Sequence, residues 1–255
     1  NLSIEFFNAY FDCRRNKRNT ASALFFEKHL ERNLYGLIDE VRDGHYAPGR
    51  CIAFVVDKPV KREVFAADFR DRVVHHWLIN KLNPLFENLF INDSYACRTG
   101  KGTHFGIRRL MSFIEECSEN YQSDCHILKL DISGFFMHIS RPLLFSRLED
   151  FIRKNYLEGE DLELVIEITR KIIFNDPARN CMIKGSRADW RPLPKNKSLF
   201  YSPPGCGLPI GNLTSQIFAN FYLHSLDRFV TRELGVKYYG RYVDDFFVVH
   251  PKDRK

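Results

Sequence analysis

Apolar and polar positions change their period several times along the chain, and each change marks an element. The first 50 residues carry a helical pattern, with Arg14, Arg15, Lys17 and Arg18 clustered near the start. At 51–66 the runs CIAFVV and EVFAA flank DKPVKR, which predicts a hairpin around a Lys/Pro turn. Over 71–90, Val73, Val74, Trp77, Leu78, Leu82 and Leu85 recur at three- and four-residue steps, predicting a helix. A loop at 92–103 carries two glycines with Arg98 and Lys101. A helix then runs through about Cys117, with Ile107, Leu110 and Ile114 expected on one face.

HILKLD (126–131) alternates as a strand and ends on an acid. Stretches 141–154 and 160–174 read as amphipathic helices, while 175–209, rich in Pro, Gly and cations, reads as an irregular connection. Another helix is predicted from about 212 to 234. YYGRYVDDFFVV (238–249) then supplies two β-prone arms around an acidic turn. Short strands interspersed with helices predict an α+β fold. No G-x-G-x-x-G follows a strand, and Gly100-Lys101-Gly102-Thr103 lacks the spacing of a phosphate-binding Walker loop.

At 255 residues, 44% apolar and 27% charged, the chain suits one large domain or two modest ones sharing a core. A net charge of +6 mildly favours a polyanionic partner. The basic cluster at 14–18 fits a solvated face and an RNA contact equally. Seven scattered cysteines with no C-x-x-C pair imply reduced thiols and a cytoplasmic setting. No apolar run reaches membrane-spanning length, so no membrane partner is expected.

The candidate chemistry lies in the acids. Asp131 ends an apolar strand, and Asp244 and Asp245 sit at the tip of a predicted hairpin. If those strands are neighbours, the acids offer hard oxygen ligands to two Mg²⁺ ions, with Mn²⁺ as a substitute. Paired metals about 3.5–4 Å apart activate a hydroxyl nucleophile and neutralise a leaving pyrophosphate. An Asp-Asp pair also fits a solvated turn, and an acid ending a strand also fits a helix N-cap. Apolar, aromatic flanks favour the metal, because an unpaired charge among them is expensive.

A resemblance to reverse transcriptases adds to this reading. YVDD (242–245) resembles their Y-x-D-D box, LKLDISGFF (128–136) their first palm motif, and GLPIGNLTSQIFANFYLHSLD (207–227) the turn-and-helix motif between them. KREVFAADFRDRVVHHWL (61–78) and SYACRTGKGTHFGI (94–107) are similar to two successive fingers motifs. The resemblance implies a right-hand polymerase with fingers mainly in 1–125 and palm mainly in 126–255, with some interleaving. The palm would be an antiparallel sheet packed on helices, and no thumb is expected in this chain. Asp131 and Asp244 would be catalytic metal ligands, with Asp245 beside them and the Ile132 carbonyl as a further ligand.

In the same resemblance, Lys61, Arg62 and Arg72 would grip the triphosphate, where cations stabilise the charge of the leaving group. Phe136 would stack beneath the incoming sugar and exclude a 2′-hydroxyl. One of Phe135 and Phe136 should be core, since successive strand residues point to opposite faces. Ile210, Gly211 and Gln216 would border the nucleotide, and Arg98 and Lys101 would touch the template backbone.

Most reverse transcriptases carry Gln-Gly-x-x-x-Ser-Pro where this chain reads Ile210-Gly211-Asn212-Leu213-Thr214-Ser215-Gln216. That departure resembles the bacterial enzymes of diversity-generating retroelements, which copy RNA with errors concentrated at adenines. An apolar Ile210 would remove a hydrogen-bonding group and loosen geometric checking. The implied partners are an RNA template, a DNA or RNA primer, dNTPs and a basic accessory protein. Group II intron, retron-like and phage-defence reverse transcriptases are the alternatives. A non-catalytic RNA-binding scaffold with a polymerase fold is the alternative of another class.

Overall fold

Thr20 and Ser140 each precede a helical stretch, and each side chain accepts a hydrogen bond from a first-turn N–H, Ala23 at 3.3 Å and Leu143 at 3.4 Å. The computed structural model describes residues 1–15, 19–156 and 160–252, so Lys17 and Arg18 of the basic cluster lie outside the described residues. In chain order the helices are α1 (Leu2–Arg15), α2 (Ala21–Glu27), α3 (Leu30–Arg42), α4 (Phe69–Leu89), α5 (Thr103–Cys117), α6 (Phe135–His138), α7 (Arg141–Asn155), α8 (Leu162–Phe174) and α9 (Leu213–Arg228). The strands are β1 (Cys51–Val56), β2 (Arg62–Ala66), β3 (Cys125–Asp131), β4 (Cys181–Ile183), β5 (Tyr238–Tyr242) and β6 (Asp245–Pro251). The α+β expectation holds. The chain forms two compact units, Asn1–Leu85 with Phe136–Ser215, and Phe86–Phe135 with Gln216–Lys255. This partition interleaves the chain.

In the first unit β1 and β2 form the expected antiparallel hairpin, with Ile52 opposite Ala66 and Val56 opposite Arg62. β4 joins the other edge of β1 in parallel, giving the order β2-β1-β4. This strand was not expected inside 175–209. Its three residues are too few for a sequence period, and β1 supplies the pairing. Cys51, Ala53, Phe65, Met137 and Leu199 form a buried cluster beside this sheet. Phe6 stacks on Trp77 at 5.3 Å, and the indole N–H donates to Glu5 at 2.9 Å.

The irregular connection is held by a buried acid. Glu63, on β2 and 1% exposed, accepts hydrogen bonds from the Trp190 indole, the Ser198 hydroxyl at 2.7 Å and the Leu199 amide at 2.6 Å. Burial raises its pKa, against which those three donors act.

The second unit contains an antiparallel sheet in the order β3-β6-β5. Phe113 and Cys117 of α5 pack with Tyr238 and Val249 of this sheet. The fully buried stripe of α5 is Gly106, Phe113 and Cys117, beside the expected face of Ile107, Leu110 and Ile114. Ile107 is half exposed, while Leu110 and Ile114 are partly buried and pack against the cluster. Gly106 decides this geometry, because a Cβ there would lie 2.8 Å from the Tyr95 ring. With a glycine at the contact, the helix rests on Tyr95 along that stripe.

Candidate active site

In the second unit, pairing between strands brings the acids together. Asp131 at the end of β3 lies directly opposite Asp245 at the start of β6, and Tyr242 on β5 faces Asp245 from the other side. Asp244 stands in the two-residue loop between β5 and β6. Directly opposed residues of an antiparallel pair share a face, and like charges so placed repel. The Asp244 carboxyl is pushed above its ordinary pKa, first by burial and then by the charges of Asp131 and Asp245. Lys129 approaches Asp245 at 3.3 Å, but both side chains are largely solvated and the ion pair is weak.

Contrary to expectation, the apolar flanks of Asp131 do not bury it. Asp131 is exposed, as is β3 along residues 126–131. This strand is an edge of the sheet, and Ile127 and Leu128 are each about half exposed. A burial penalty acts on Asp244.

The donor set fits a hard divalent cation. No set of three or more His, Cys, Asp or Glu side chains among the described residues is arranged to hold a metal by itself. Mg²⁺ characteristically takes one or two carboxylates and completes its shell with water and substrate phosphate oxygens. Asp131 and Asp244, with Asp245 alongside, supply that partial set. The Ile132 carbonyl already accepts from the Phe135 amide at 3.2 Å, which leaves its second lone pair.

The loop carrying Asp244 is held in an uncommon conformation. Val243 has φ +58°, a left-handed value that β-branched residues avoid. Its carbonyl accepts a 2.7 Å bond from Arg241, a fully buried guanidinium paired with Asp227 at 2.6 Å. Arg241, Asp227 and Asn220 were not foreseen. Their signals were an arginine inside a β-prone aromatic arm and an acid and an amide within the apolar 213–228 helix.

The two template candidates both make contacts within the chain. Arg98 is 7% exposed at its side chain and donates to Glu87, to the Ile91 carbonyl at 2.6 Å and to the Ser94 carbonyl at 3.0 Å. Its fork is used in closing the loop after α4. Lys101 binds the Asn92 carbonyl and side chain and lies over Phe105. Burial, then the Arg98 charge, lower its pKa. Gln216, at the start of α9, accepts from the Cys97 thiol at 2.7 Å.

The other nucleotide candidates belong to the first unit. Phe136 and Ile210 are half-buried and pack against the same cluster of Cys51, Ala53, Phe65, Met137 and Leu199. Phe135 is the buried member of its pair, but 135–138 is a helical turn rather than a strand, so alternation is not the reason. The Ile210 carbonyl accepts from the Phe65 amide at 2.8 Å. Gly211 follows with φ +121°, and a Cβ there would meet Val64 at 2.7 Å, so only glycine permits this approach. Arg62 is exposed, Lys61 pairs with Asp57 at 2.7 Å, and Arg72 donates to the Ala67 carbonyl at 2.8 Å.

Residues 61–255 match the family model described as reverse transcriptase (RNA-dependent DNA polymerase). The chain is 25% identical over 186 residues to an uncharacterized 91 kDa protein in the cob intron of Schizosaccharomyces pombe, covering 73% of this chain and 19% of that protein. It is 26% identical over 205 residues to the mitochondrial nuclear intron maturase 1 of Arabidopsis thaliana, covering 69% and 27% respectively. The Escherichia coli protein YkfC is 26% identical over 120 residues, 46% of this chain and 31% of that one. The chain thus spans less than a third of the length of these relatives. A chain of the solved partial Cas6-RT-Cas1–Cas2 complex shares the fold at TM-score 0.51 and 18% identity, over 98% of this chain and 37% of that one.

Proposed function

This chain belongs to the reverse transcriptase family, and we propose that its protein synthesises DNA on an RNA template, with Asp131 and Asp244 as the metal-holding carboxylates and Asp245 as their neighbour. The observation that carries this reading is the register placing Asp131 opposite Asp245, with Asp244 in the adjoining loop. A pair of Mg²⁺ or Mn²⁺ ions held there would activate a primer 3′-hydroxyl and neutralise charge on the departing pyrophosphate. The chain's own part is to gather three carboxylates at adjacent strand ends and to hold the Asp244 loop in place. Lys61, Arg62 and Arg72 are proposed to bind the triphosphate. Phe136, Ile210, Gly211 and Gln216 are proposed to border the nucleotide. The unit of β3, β5 and β6 is proposed as palm and the unit of β1, β2 and β4 as mainly fingers.

Within the family, the residues 210–216 support a diversity-generating retroelement enzyme making error-prone cDNA with an accessory basic protein. Ile210 packs its apolar side chain against the same buried cluster as Phe136, where the resemblance implies a glutamine in most reverse transcriptases. A group II intron-type enzyme is the second reading, favoured by the intron-associated names of two relatives.

Primer extension by the intact protein on poly(rA)/oligo(dT) is expected to require a divalent cation and to fall roughly a hundredfold or more in Asp244→Asn. Undiminished synthesis by that variant would refute the metal assignment. Sequencing of cDNA from an adenine-rich template separates the two subfamily readings. Errors concentrated opposite adenine support the first, and equal errors at all four bases support the second. RNA binding without incorporation under either metal would instead favour a scaffold.

A further inference from the structure

The loop that presents Asp244 is only two residues long, because Tyr242 and Asp245 still pair across the hairpin. Of its two residues, only Val243 has a positive φ, the pattern of a type II′ turn, whose first central position favours glycine. A β-branched side chain there leaves the loop without a local reason to keep this shape. The reason comes from elsewhere in the same unit.

Arg241 is fully buried and every N–H of its guanidinium has an acceptor. Nε and Nη2 grip the two oxygens of Asp227, each at 2.6 Å, and Nη2 also reaches the Ser94 hydroxyl at 3.3 Å. Nη1 divides between the Asn220 side-chain carbonyl at 3.1 Å and the Val243 carbonyl at 2.7 Å. The partners are themselves fixed. Asp227 accepts from the Tyr239 hydroxyl at 2.7 Å, and the Asn220 amide donates to the Ala96 carbonyl at 2.8 Å. The main chain of Arg241 is held on both sides, its N–H donating to Asp93 and its carbonyl accepting from Tyr95, each at 2.9 Å.

We propose that Arg241 is a positioning residue for metal binding: anchored on Asp227, it braces the Val243 carbonyl and thereby holds the strained turn that presents Asp244. The Val243 carbonyl belongs to the peptide whose other end is the Asp244 amide, so rotation of that peptide swings the carboxylate. This inference rests on the reading of Asp131 and Asp244 as metal-holding groups. A buried ion pair that merely fastens β5 to α9 would stabilise the unit without caring what stands at position 243. The two roles therefore separate through Val243.

The test is Tb³⁺ luminescence titration of the intact protein, with thermal melting alongside. Arg241→Lys keeps the charge opposite Asp227, but one ammonium cannot also hold the Val243 carbonyl in a planar fork. It is expected to weaken Tb³⁺ binding about 10- to 100-fold. Adding Val243→Gly, which adopts the left-handed turn freely, is expected to restore binding to within about threefold of Val243→Gly alone, a coupling between contacting sites. The melting temperature should stay lowered to the same extent in both Arg241→Lys backgrounds. Should Arg241→Lys fail to fold, Arg241→Gln with Asp227→Asn removes the brace without stranding a buried charge, and the same comparison applies.

Wild-type binding in the brace variant, or no restoration by glycine, would overturn the inference. Asp244→Asn tells the two failures apart. If it loses Tb³⁺ while the brace variant does not, only the positioning role is wrong. If it binds Tb³⁺ as the intact protein does, the carboxylate reading fails and the positioning role fails with it.

Discussion

The two units each bury a carboxylate beneath an irregular segment, and they satisfy it differently. In the first, Glu63 accepts from neutral donors, an indole, a hydroxyl and an amide, and so pins the 190–199 stretch to β2. In the second, Asp227 accepts a bidentate arginine whose Nη1 also reaches the Asp244 loop. Neutral donors suffice where a connection only has to stay in place. A guanidinium adds reach, because its planar fork can hold an acid on one edge and a backbone carbonyl on the other. The cationic solution also carries a larger penalty on failure, since breaking a buried ion pair strands a charge.

The largest effect should come from Asp227→Ala, which leaves Arg241 buried without its counter-charge. Denaturant unfolding is expected to show a loss of about 3–5 kcal/mol. A value below about 1 kcal/mol would mean that water reaches Arg241 and that the comparison is drawn too sharply.

Asp71 extends the neutral-donor case in the first unit. It accepts from Tyr46 at 3.1 Å and from the Gly49 amide at 2.8 Å, while Arg70 stands off at 3.8 Å. Burial raises its pKa from 3.8 to about 6. The folded protein thus holds this proton more tightly than the unfolded chain does. The resulting stability is complete below about pH 4 and is lost as pH rises through about 6. Its size is on the order of 3 kcal/mol, from about two pKa units. Unfolding measured across pH 4 to 7 should show this slope, and Asp71→Asn should flatten it.

Glu63→Gln is expected to be milder than Asp227→Ala. The amide keeps one acceptor but turns an NH₂ toward groups that already donate, a loss of about 1–3 kcal/mol by the same unfolding assay. Burial raises the Glu63 pKa as well, so the penalty of the substitution should shrink as pH rises through that raised value. A loss equal to that of Asp227→Ala would erase the distinction between the two ways of satisfying a buried acid.

Much of this architecture was legible along the chain. The 51–66 hairpin, the α4 and α7–α9 helices, and the YVDD hairpin follow from local period and turn chemistry. They stabilise themselves through neighbours in sequence. Gathering of Asp131 with Asp244 and Asp245 was legible too, because each acid stands at a strand end. What escaped depends on partners far away in the chain. β4 is three residues whose pairing comes from β1. Arg98 looked like a loop cation until Glu87 and two carbonyls enclosed it. Arg241 sits beside the turn that carries Asp244, yet its meaning depends on Asp227 and Asn220 of α9, and no spacing rule joins them. The exposure of β3 was likewise unreadable, since an apolar alternating run does not tell whether its strand lies at an edge.

The most direct measurement is single-turnover incorporation of a dNTP on an RNA-templated primer by the intact protein, with Asp131→Asn and Asp244→Asn compared at equal melting temperature. If the paired strand ends hold the catalytic metals, both variants should lose about 10²–10³-fold or more in rate while still binding the primer–template. Incorporation at the wild-type rate by either variant would contradict the assignment of these carboxylates to the chemistry.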